Sequence, residues 1–180
     1  MPNHTVRRLV EGAMIAAIYL VLTFASRLLG IADGAVQFRL SEALTVLPVF
    51  TPAAIPGLTI GCLFANLGSP FGIVDIISGT LATLFAALLT RWCRSITWRG
   101  IPWLAPVPPI VLNGVIVGLT VTLMNEVGHI VPSQFSFAAF GITAFTVALG
   151  ELAVCAGLGL PLFYALKKSG AANHLFHSAP

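Results

Sequence analysis

Long apolar stretches alternate with short polar ones along the chain. The apolar stretches cover residues 9–29, 43–67, 73–90, 104–124 and 137–166. A helix needs roughly 20 mostly apolar residues to cross a hydrocarbon layer about 30 Å thick, and most of these stretches reach that length. The pattern therefore predicts membrane-spanning helices and leaves little chain for a soluble domain.

The segment from residue 40 to residue 68 allows two interpretations, one long helix or two shorter ones. It reads LSEALTVLPVFTPAAIPGLTIGCLFANLG and contains Pro48, Pro52 and Pro56. Each proline removes a backbone donor and clashes with the preceding turn, and an unsatisfied carbonyl in lipid costs several kcal/mol. We therefore predict two helices that meet at a turn near TPAAIPG.

This choice leads to an all-α fold, a bundle of six transmembrane helices. The helices are expected at roughly 7–29, 37–50, 53–67, 73–93, 105–125 and 137–166, with the second one short and tilted or kinked. We expect a single transmembrane domain over residues 1–168 and a flexible tail over residues 169–180. With an even number of spans, both termini lie on the same side of the membrane.

Composition and charge also indicate a membrane protein. Only 8% of the residues are charged and 57% are hydrophobic, whereas soluble domains carry about 25% charged residues. With the N-terminus in the cytoplasm, the positive-inside rule is met. The inner basic residues are then Arg7, Arg8, Arg91, Arg94, Arg99, Lys167 and Lys168, and the outer ones are Arg27 and Arg39. A five-helix chain with its N-terminus outside divides the basic residues equally well, so the choice of six helices rests on the prolines.

Acidic residues in or near the spans need an explanation, because ionisable groups there are costly unless they face a bundle interior. Glu42, Asp75 and Glu126 are expected near the outer face, and Glu126 is best explained as a solvated loop residue. Glu151 lies about 14 residues into the last helix, hence ~21 Å deep at 1.5 Å per residue. It needs a proton, an amide partner such as Asn113, or a cationic or donor-rich ligand.

The other polar candidates have structural explanations beside functional ones. Arg39 and Glu42, at i and i+3, can form an ion pair at a helix end, yet they also stand at the outer mouth of the predicted bundle, where a ligand would meet them. Asp75 can be a carboxylate that stabilises a helix N-terminus. Asn66 and Asn113 can bind a ligand or serve helix packing alone.

Small residues and missing motifs narrow the class of protein. Gly12 with Ala16, and Ala13 with Ala17, are spaced i, i+4 on the first helix, which lets another helix approach closely. The chain has no GxxxxGKS/T loop for ATP phosphates, no HExxH and no GxSxG. Its three cysteines lack CxxC spacing and histidine partners, so we expect free thiols and no metal site.

Five segments resemble, in order, the QueT family. They are VQFRLSEALTVLP, TPAAIPGLTIGCLFANL, GIVDIISGTLATL, WLAPVPPIVLNGVIVG and LGELAVC, within a likeness that covers roughly residues 6–166. The family comprises queuosine-precursor transporters among the substrate-binding S-components of energy-coupling factor (ECF) transporters. The resemblance implies a six-helix bundle in a prokaryotic plasma membrane, with both termini cytoplasmic and a micronutrient site on the outer side.

The resemblance also implies partners. An S-component docks on a transmembrane coupling subunit that two cytoplasmic ATPases drive, which would explain the missing ATP site. The chain itself is then a non-catalytic binding subunit without a cofactor. S-components commonly present a small-residue face of the first helix to the coupling subunit, and Ala13 and Ala17 match that face. The loop GIADGAVQFR after the first helix is expected to help close the pocket.

The implied substrate is a 7-deazaguanine, such as the aminomethyl precursor of queuosine, or queuine. Its adjacent N–H and NH₂ donors suit one carboxylate, and its cationic arm suits another. The predicted substrate-binding residues are Arg39, Glu42, Asn66, Asp75, Asn113 and Glu151.

Three alternatives stay open at this point. Some family members resemble carriers of cobalamin, so the family does not decide the substrate. Acids near the midplane would also suit a stand-alone secondary transporter coupled to protons. An intramembrane enzyme is the least favoured interpretation, because no nucleophile and base stand at a recognisable spacing.

Overall fold

The computed structural model describes residues 4–32, 36–69, 72–125 and 129–176, and the chain is helical there, without a β-strand. The helices are α1 (His4–Leu28), α2 (Leu40–Val49), α3 (Ala54–Asn66), α4 (Gly72–Trp92), α5 (Val107–Leu123), α6 (Phe137–Lys168) and α7 (Ala171–Leu175). α2 is a 3₁₀ helix, and α6 becomes π-helical over Leu152–Gly159. The predicted all-α bundle of six helices is confirmed to within a few residues at each end, and the short α7 is an addition.

The bundle exposes many large apolar side chains on its outside, as a protein in lipid does, and buries polar side chains beside an apolar core. By length and composition α1, α4 and α6 can cross a membrane, whereas α2, α3 and α5 are apolar but shorter. Large apolar side chains such as Val21, Ile77 and Phe145 are more than half exposed. The buried set includes acidic, amide and hydroxyl side chains from several helices.

The short helix α2 is the centre of the bundle. It contacts α1, α3, α4 and α6, while the other helices pack on one another in the order α1, α3, α4, α5 and α6. Every residue from 41 to 50 is buried. A 3₁₀ helix rises about 2.0 Å per residue, so its 10 residues extend about 20 Å where an α-helix would extend about 15 Å. α2, which was expected to be short and tilted or kinked, is therefore longer than an α-helix of the same number of residues and spans much of the core.

The predicted turn between the second and third helices is present at residues 50–53. Pro48 lies inside α2, Pro52 in the turn and Pro56 in the first turn of α3. The carbonyls at the end of α2 lack helical partners, as at any helix end. Arg91 of α4 supplies one, since its Nη1 donates to the carbonyl oxygens of Pro48 at 2.9 Å and Val49 at 3.2 Å.

The two small-residue pairs of α1 have different surroundings. Gly12 and Ala16 lie against α3: a Cβ atom on Gly57 would stand 2.7 Å from the Gly12 carbonyl oxygen, and one on Gly61 would stand 3.0 Å from that of Ala16. Gly12 and Ala16 thus allow the backbones of α1 and α3 to come into close contact. Ala13 and Ala17 are exposed on the outside of the bundle.

One end of the bundle holds the start of α1 and the ends of α2, α4 and α6, and we call it the termini end. There Thr51 donates to Glu11 of α1 at 2.9 Å, and Lys167 donates to the carbonyl of Gly100 at 2.9 Å. Part of the segment predicted to be a flexible tail packs at this end, because Phe176 is buried and its ring lies 5.9 Å from that of Phe50. Residues 177–180 lie outside the described ranges.

Candidate functional site

A polar cluster surrounds the start of α2, at the opposite end from the termini. Four of the six predicted site residues, Arg39, Glu42, Asn113 and Glu151, line one small cavity there. Gln37, Cys62 and Thr83 also line it. The cavity measures about 10 Å³, room for about one water.

The geometry of α2 directs its polar residues to one face. In a 3₁₀ helix, side chains at i and i+3 lie one above the other. Arg39, Glu42 and Thr45 follow this spacing, and all three are buried. Both charged residues are thus inside the bundle, with Arg39 only 7% and Glu42 only 3% exposed, near the end where the outer mouth was predicted from the sequence. They are buried because α2 sits in the middle of the bundle instead of on its perimeter.

Glu42 has one carboxylate oxygen engaged and one directed at the cluster. Its Oε1 accepts a hydrogen bond from the hydroxyl of Tyr19 on α1. Its Oε2 is buried and has no hydrogen-bond partner in the part of the chain that the structure describes. A buried oxygen without a donor costs about 1–3 kcal/mol, so this atom is suited to accept a ligand's N–H group.

Glu151 lies across the cavity from α2, where α6 changes from α- to π-helical geometry. Asn113 of α5 donates to its Oε1 at 2.9 Å, which is the amide partner considered from the sequence. The thiol of Cys155 donates to its Oε2 at 3.3 Å. π-helical turns inside α-helices occur frequently at functional sites. Here the π-helical segment carries the residue that orients Glu151.

Asn66 and Asp75 stand one layer behind the cavity wall, against Arg39. The Arg39 guanidinium donates to Asn66 Oδ1 at 3.5 Å and lies 3.9 Å from Asp75 Oδ2. Ser69 donates to the same Asp75 oxygen at 2.5 Å. Asp75 therefore compensates the buried charge of Arg39, and both residues hold the guanidinium in place.

The charges of the cluster are unbalanced. Arg39 is the one basic residue among the described residues of the cavity wall, and Asp75 already pairs with it, so its charge does not balance both Glu42 and Glu151. Burying a carboxylate without compensation costs several kcal/mol. A ligand that brings positive charge and N–H donors would remove this cost.

Two carboxylates and a thiol also come close enough to hold a metal ion. A carboxylate oxygen of Glu42, one of Glu151 and the sulfur of Cys155 all lie within 4.8 Å of one another. In the structure, however, the carboxylate of Glu151 accepts hydrogen bonds from Asn113 and from the thiol of Cys155. The arrangement therefore suits an organic cation at least as well as a metal.

A backbone segment covers the cavity. Gln37 packs directly on Gly150 of α6, so closely that a Cβ atom at position 150 would collide with the Gln37 carbonyl oxygen. Binding pockets for small molecules measure roughly 300 Å³ or more, so a ligand has to displace this segment or the side chains beneath it.

Sequence reasoning missed Tyr19, Gly150 and Cys155, whereas Gln37 belongs to the loop GIADGAVQFR that was expected to help close the pocket. A signal existed for Tyr19, because a buried tyrosine hydroxyl in a membrane helix needs a partner. The glycine directly before Glu151 was a second signal, since glycine marks a close approach of two backbones. Glu126, which was weighed as a loop residue, lies outside the described ranges.

Comparison with known proteins adds to this geometry. The model of a family described as QueT transporter matches residues 9–168. The chain is also 37% identical over 97 residues to the "Queuosine precursor transporter QueT" of Lactococcus lactis subsp. cremoris (strain MG1363). That alignment covers 51% of this chain and 57% of the relative, so the chain spans little more than half the length of the curated relative. No solved structure matches.

Proposed function

Because the chain belongs to the QueT transporter family, we propose that it is the substrate-binding subunit of an importer for a queuosine precursor. The substrate class is a cationic 7-deazaguanine, such as the aminomethyl precursor or queuine. The observation that carries this proposal is the pair Glu42 and Glu151 on the wall of a buried cavity. Among the described residues that line the cavity, the only basic one is Arg39, and Asp75 already pairs with it.

The two carboxylates have distinct capacities. Glu42 keeps Oε2 as a buried acceptor, and a carboxylate can accept the paired N–H donors of a guanine-like edge. Glu151 is oriented by Asn113 and Cys155, and a cationic ligand would favour its ionised form, which suits an ammonium group. Asn113 and Arg39 remain for the other polar atoms of the ligand, while Asn66 and Asp75 act by positioning Arg39.

Neutral or very large ligands fit this chemistry less well. A ligand without positive charge leaves both carboxylates uncompensated. Cobalamin is far larger than a cavity that has room for about one water, and it would need a much wider opening of the segment at Gln37 that covers the cavity.

Transport requires partners, and the outside of α1 supports their attachment. We propose that the chain is an S-component that docks on an ECF coupling subunit, with two ATPases hydrolysing ATP and no catalysis in the chain itself. Close contact between α1 and α3 uses Gly12 and Ala16, which leaves Ala13 and Ala17 exposed for a second helix to approach.

The basic residues support an orientation in a prokaryotic plasma membrane. Arg91, Arg94, Arg99, Lys167 and Lys168 lie in or beside elements of the termini end. By the positive-inside rule that end faces the cytoplasm, and the ligand cavity lies toward the outside.

Binding titrations of the detergent-purified chain, followed by heat release, test the substrate. The compounds are the aminomethyl deazaguanine, its neutral nitrile analogue, queuine and cobalamin. A charge-assisted hydrogen bond contributes about 1.5–3 kcal/mol, so the aminomethyl compound should bind about 10- to 150-fold more tightly than the nitrile. Glu42→Gln and Glu151→Gln should each reduce this preference.

Glu11→Gln is the matched control, because Glu11 is a buried acid at the termini end, bonded to Thr51 and away from the cavity. It should leave the preference unchanged. Equal affinity for the charged and neutral compounds would refute the carboxylate argument. Tight binding of cobalamin alone would keep a transport role and overturn the substrate.

Copurification and uptake test the partners. Ala13→Trp and Ala17→Trp should abolish copurification with a coupling subunit and uptake while they spare ligand binding. Ala138→Trp, at an exposed alanine on α6, should affect neither. Uptake by the chain without any ATPase would instead support a proton-coupled secondary transporter.

A further inference from the structure

A second cavity lies at the termini end and belongs to no part of the proposed transport site. Its volume is about 480 Å³. Its polar wall comes from Arg94, Ser95 and Thr97 in the segment after α4 and from Lys167 near the end of α6. Phe50 and Phe163 form an apolar floor, with ring centroids 4.7 Å apart.

The charge of this cavity is positive and uncompensated by its own wall. No acidic side chain lines it among the described residues, whereas Arg94 and Lys167 both do. Lys167 is held in place by one hydrogen bond, from Nζ to the Gly100 carbonyl. A lysine ammonium has three donors, so two remain for a ligand beside the guanidinium of Arg94 and the hydroxyls of Ser95 and Thr97.

The surroundings of the cavity match the headgroup layer of a membrane. The cavity lies where α2, α4 and α6 end, and its floor is aromatic. Trp92, Trp98 and Trp103 flank it in sequence and are 80%, 64% and 49% exposed. Tryptophan is enriched at the interface between the hydrocarbon core and water.

We infer that this cavity binds the phosphate group of an anionic phospholipid. The cations and hydroxyls contact the phosphate, and the aromatic floor contacts the first methylene groups of the acyl chains. Basic pockets at this depth between transmembrane helices are suited to such headgroups. The position of the cavity beside exposed tryptophans, at the level of the headgroup layer, favours a lipid over soluble phosphate. The inference does not depend on which substrate the chain transports.

The test uses the full chain in nanodiscs of phosphatidylcholine with or without phosphatidylglycerol. Retained lipid is counted by native mass spectrometry, and stability is measured as the thermal unfolding midpoint. The variant Arg94→Gln with Lys167→Gln removes both cations of the cavity. The variant Arg99→Gln with Lys168→Gln removes the same charge from the same two segments, at residues that do not line the cavity.

We expect phosphatidylglycerol to be retained by the wild type and to raise its unfolding midpoint. Losing a charge-assisted hydrogen bond of about 1.5 kcal/mol or more should make the affinity of the cavity variant at least about tenfold lower than that of the control variant. Equal retention by the two variants would show general surface attraction and overturn the site. A further control adds sodium phosphate, or sodium chloride of equal ionic strength, to the wild type in pure phosphatidylcholine. If only the phosphate raises the unfolding midpoint, the cavity binds soluble phosphate, and the assignment to a lipid is overturned.

Discussion

Gly150→Ala tests how the cover of the candidate site is seated. Gly150 precedes Glu151 on α6, and the backbone of Gln37 lies directly on it. A Cβ atom at position 150 would collide with the Gln37 carbonyl oxygen and stand 2.9 Å from its carbonyl carbon and 3.3 Å from its nitrogen, where ordinary contacts are 3.4–4 Å. Backbone atoms cannot rotate away as the end of a side chain can, so the segment that leads to Arg39 has to shift.

The size of the effect follows from the cost of an added methyl group in a packed interior. Overpacking typically costs about 1–3 kcal/mol. We expect the segment to open for the ligand to enter and then to close again on α6. If it relieves the clash by staying off α6, the closed form with its ligand loses about the same free energy. At 1.4 kcal/mol for each factor of ten, ligand affinity should fall about 5- to 150-fold.

The assay is a heat-release titration with the aminomethyl deazaguanine, beside thermal unfolding to establish that each variant is folded. Gly141→Ala is the matched control, because Gly141 lies on the same helix and a Cβ atom there meets nothing within 4 Å. The control should keep its affinity and gain up to about 1 kcal/mol of stability from helix propensity. If Gly150→Ala binds as tightly as the control, contact between Gln37 and α6 is not needed to form the site.

Three further predictions concern buried polar groups and the thiols. Tyr19→Phe removes the donor to Glu42 Oε1, and leaving that oxygen without a partner should lower the free energy of unfolding by about 1–3 kcal/mol; an unchanged denaturation midpoint would contradict the contact. Arg91→Met removes the donor to the Pro48 carbonyl and should destabilise the chain by a similar amount, measured by thermal unfolding against Arg99→Met as a surface control. Cys93 is part-exposed and the other two cysteines are buried, so a maleimide should label Cys93 first in the folded chain; equally fast labelling of all three would argue against the packing around α2 and α6.

Several features of the candidate site could be anticipated because they follow from the cost of polar groups in lipid. Glu42, Asn113 and Glu151 stand out in apolar sequence, and the structure brings all three to one cavity. Their division of labour with Asp75 could not be anticipated. Asp75 begins a helix and has a local explanation there, yet in the fold it compensates Arg39 from 36 residues away in the chain.

The sequence by itself determined the class of protein and the six helices of the bundle. Apolar stretches have to match the thickness of a bilayer, and proline blocks a continuous helix, so both facts can be read locally. Only the tertiary structure decided that α2 is the buried centre of the bundle and that Gln37, within the loop expected to close the pocket, packs on Gly150. Partners 23 and 38 residues apart, such as Tyr19 with Glu42 and Asn113 with Glu151, come together through the packing of whole helices. No local pattern of residues encodes that packing, because it depends on how all the helices fit around α2 at once.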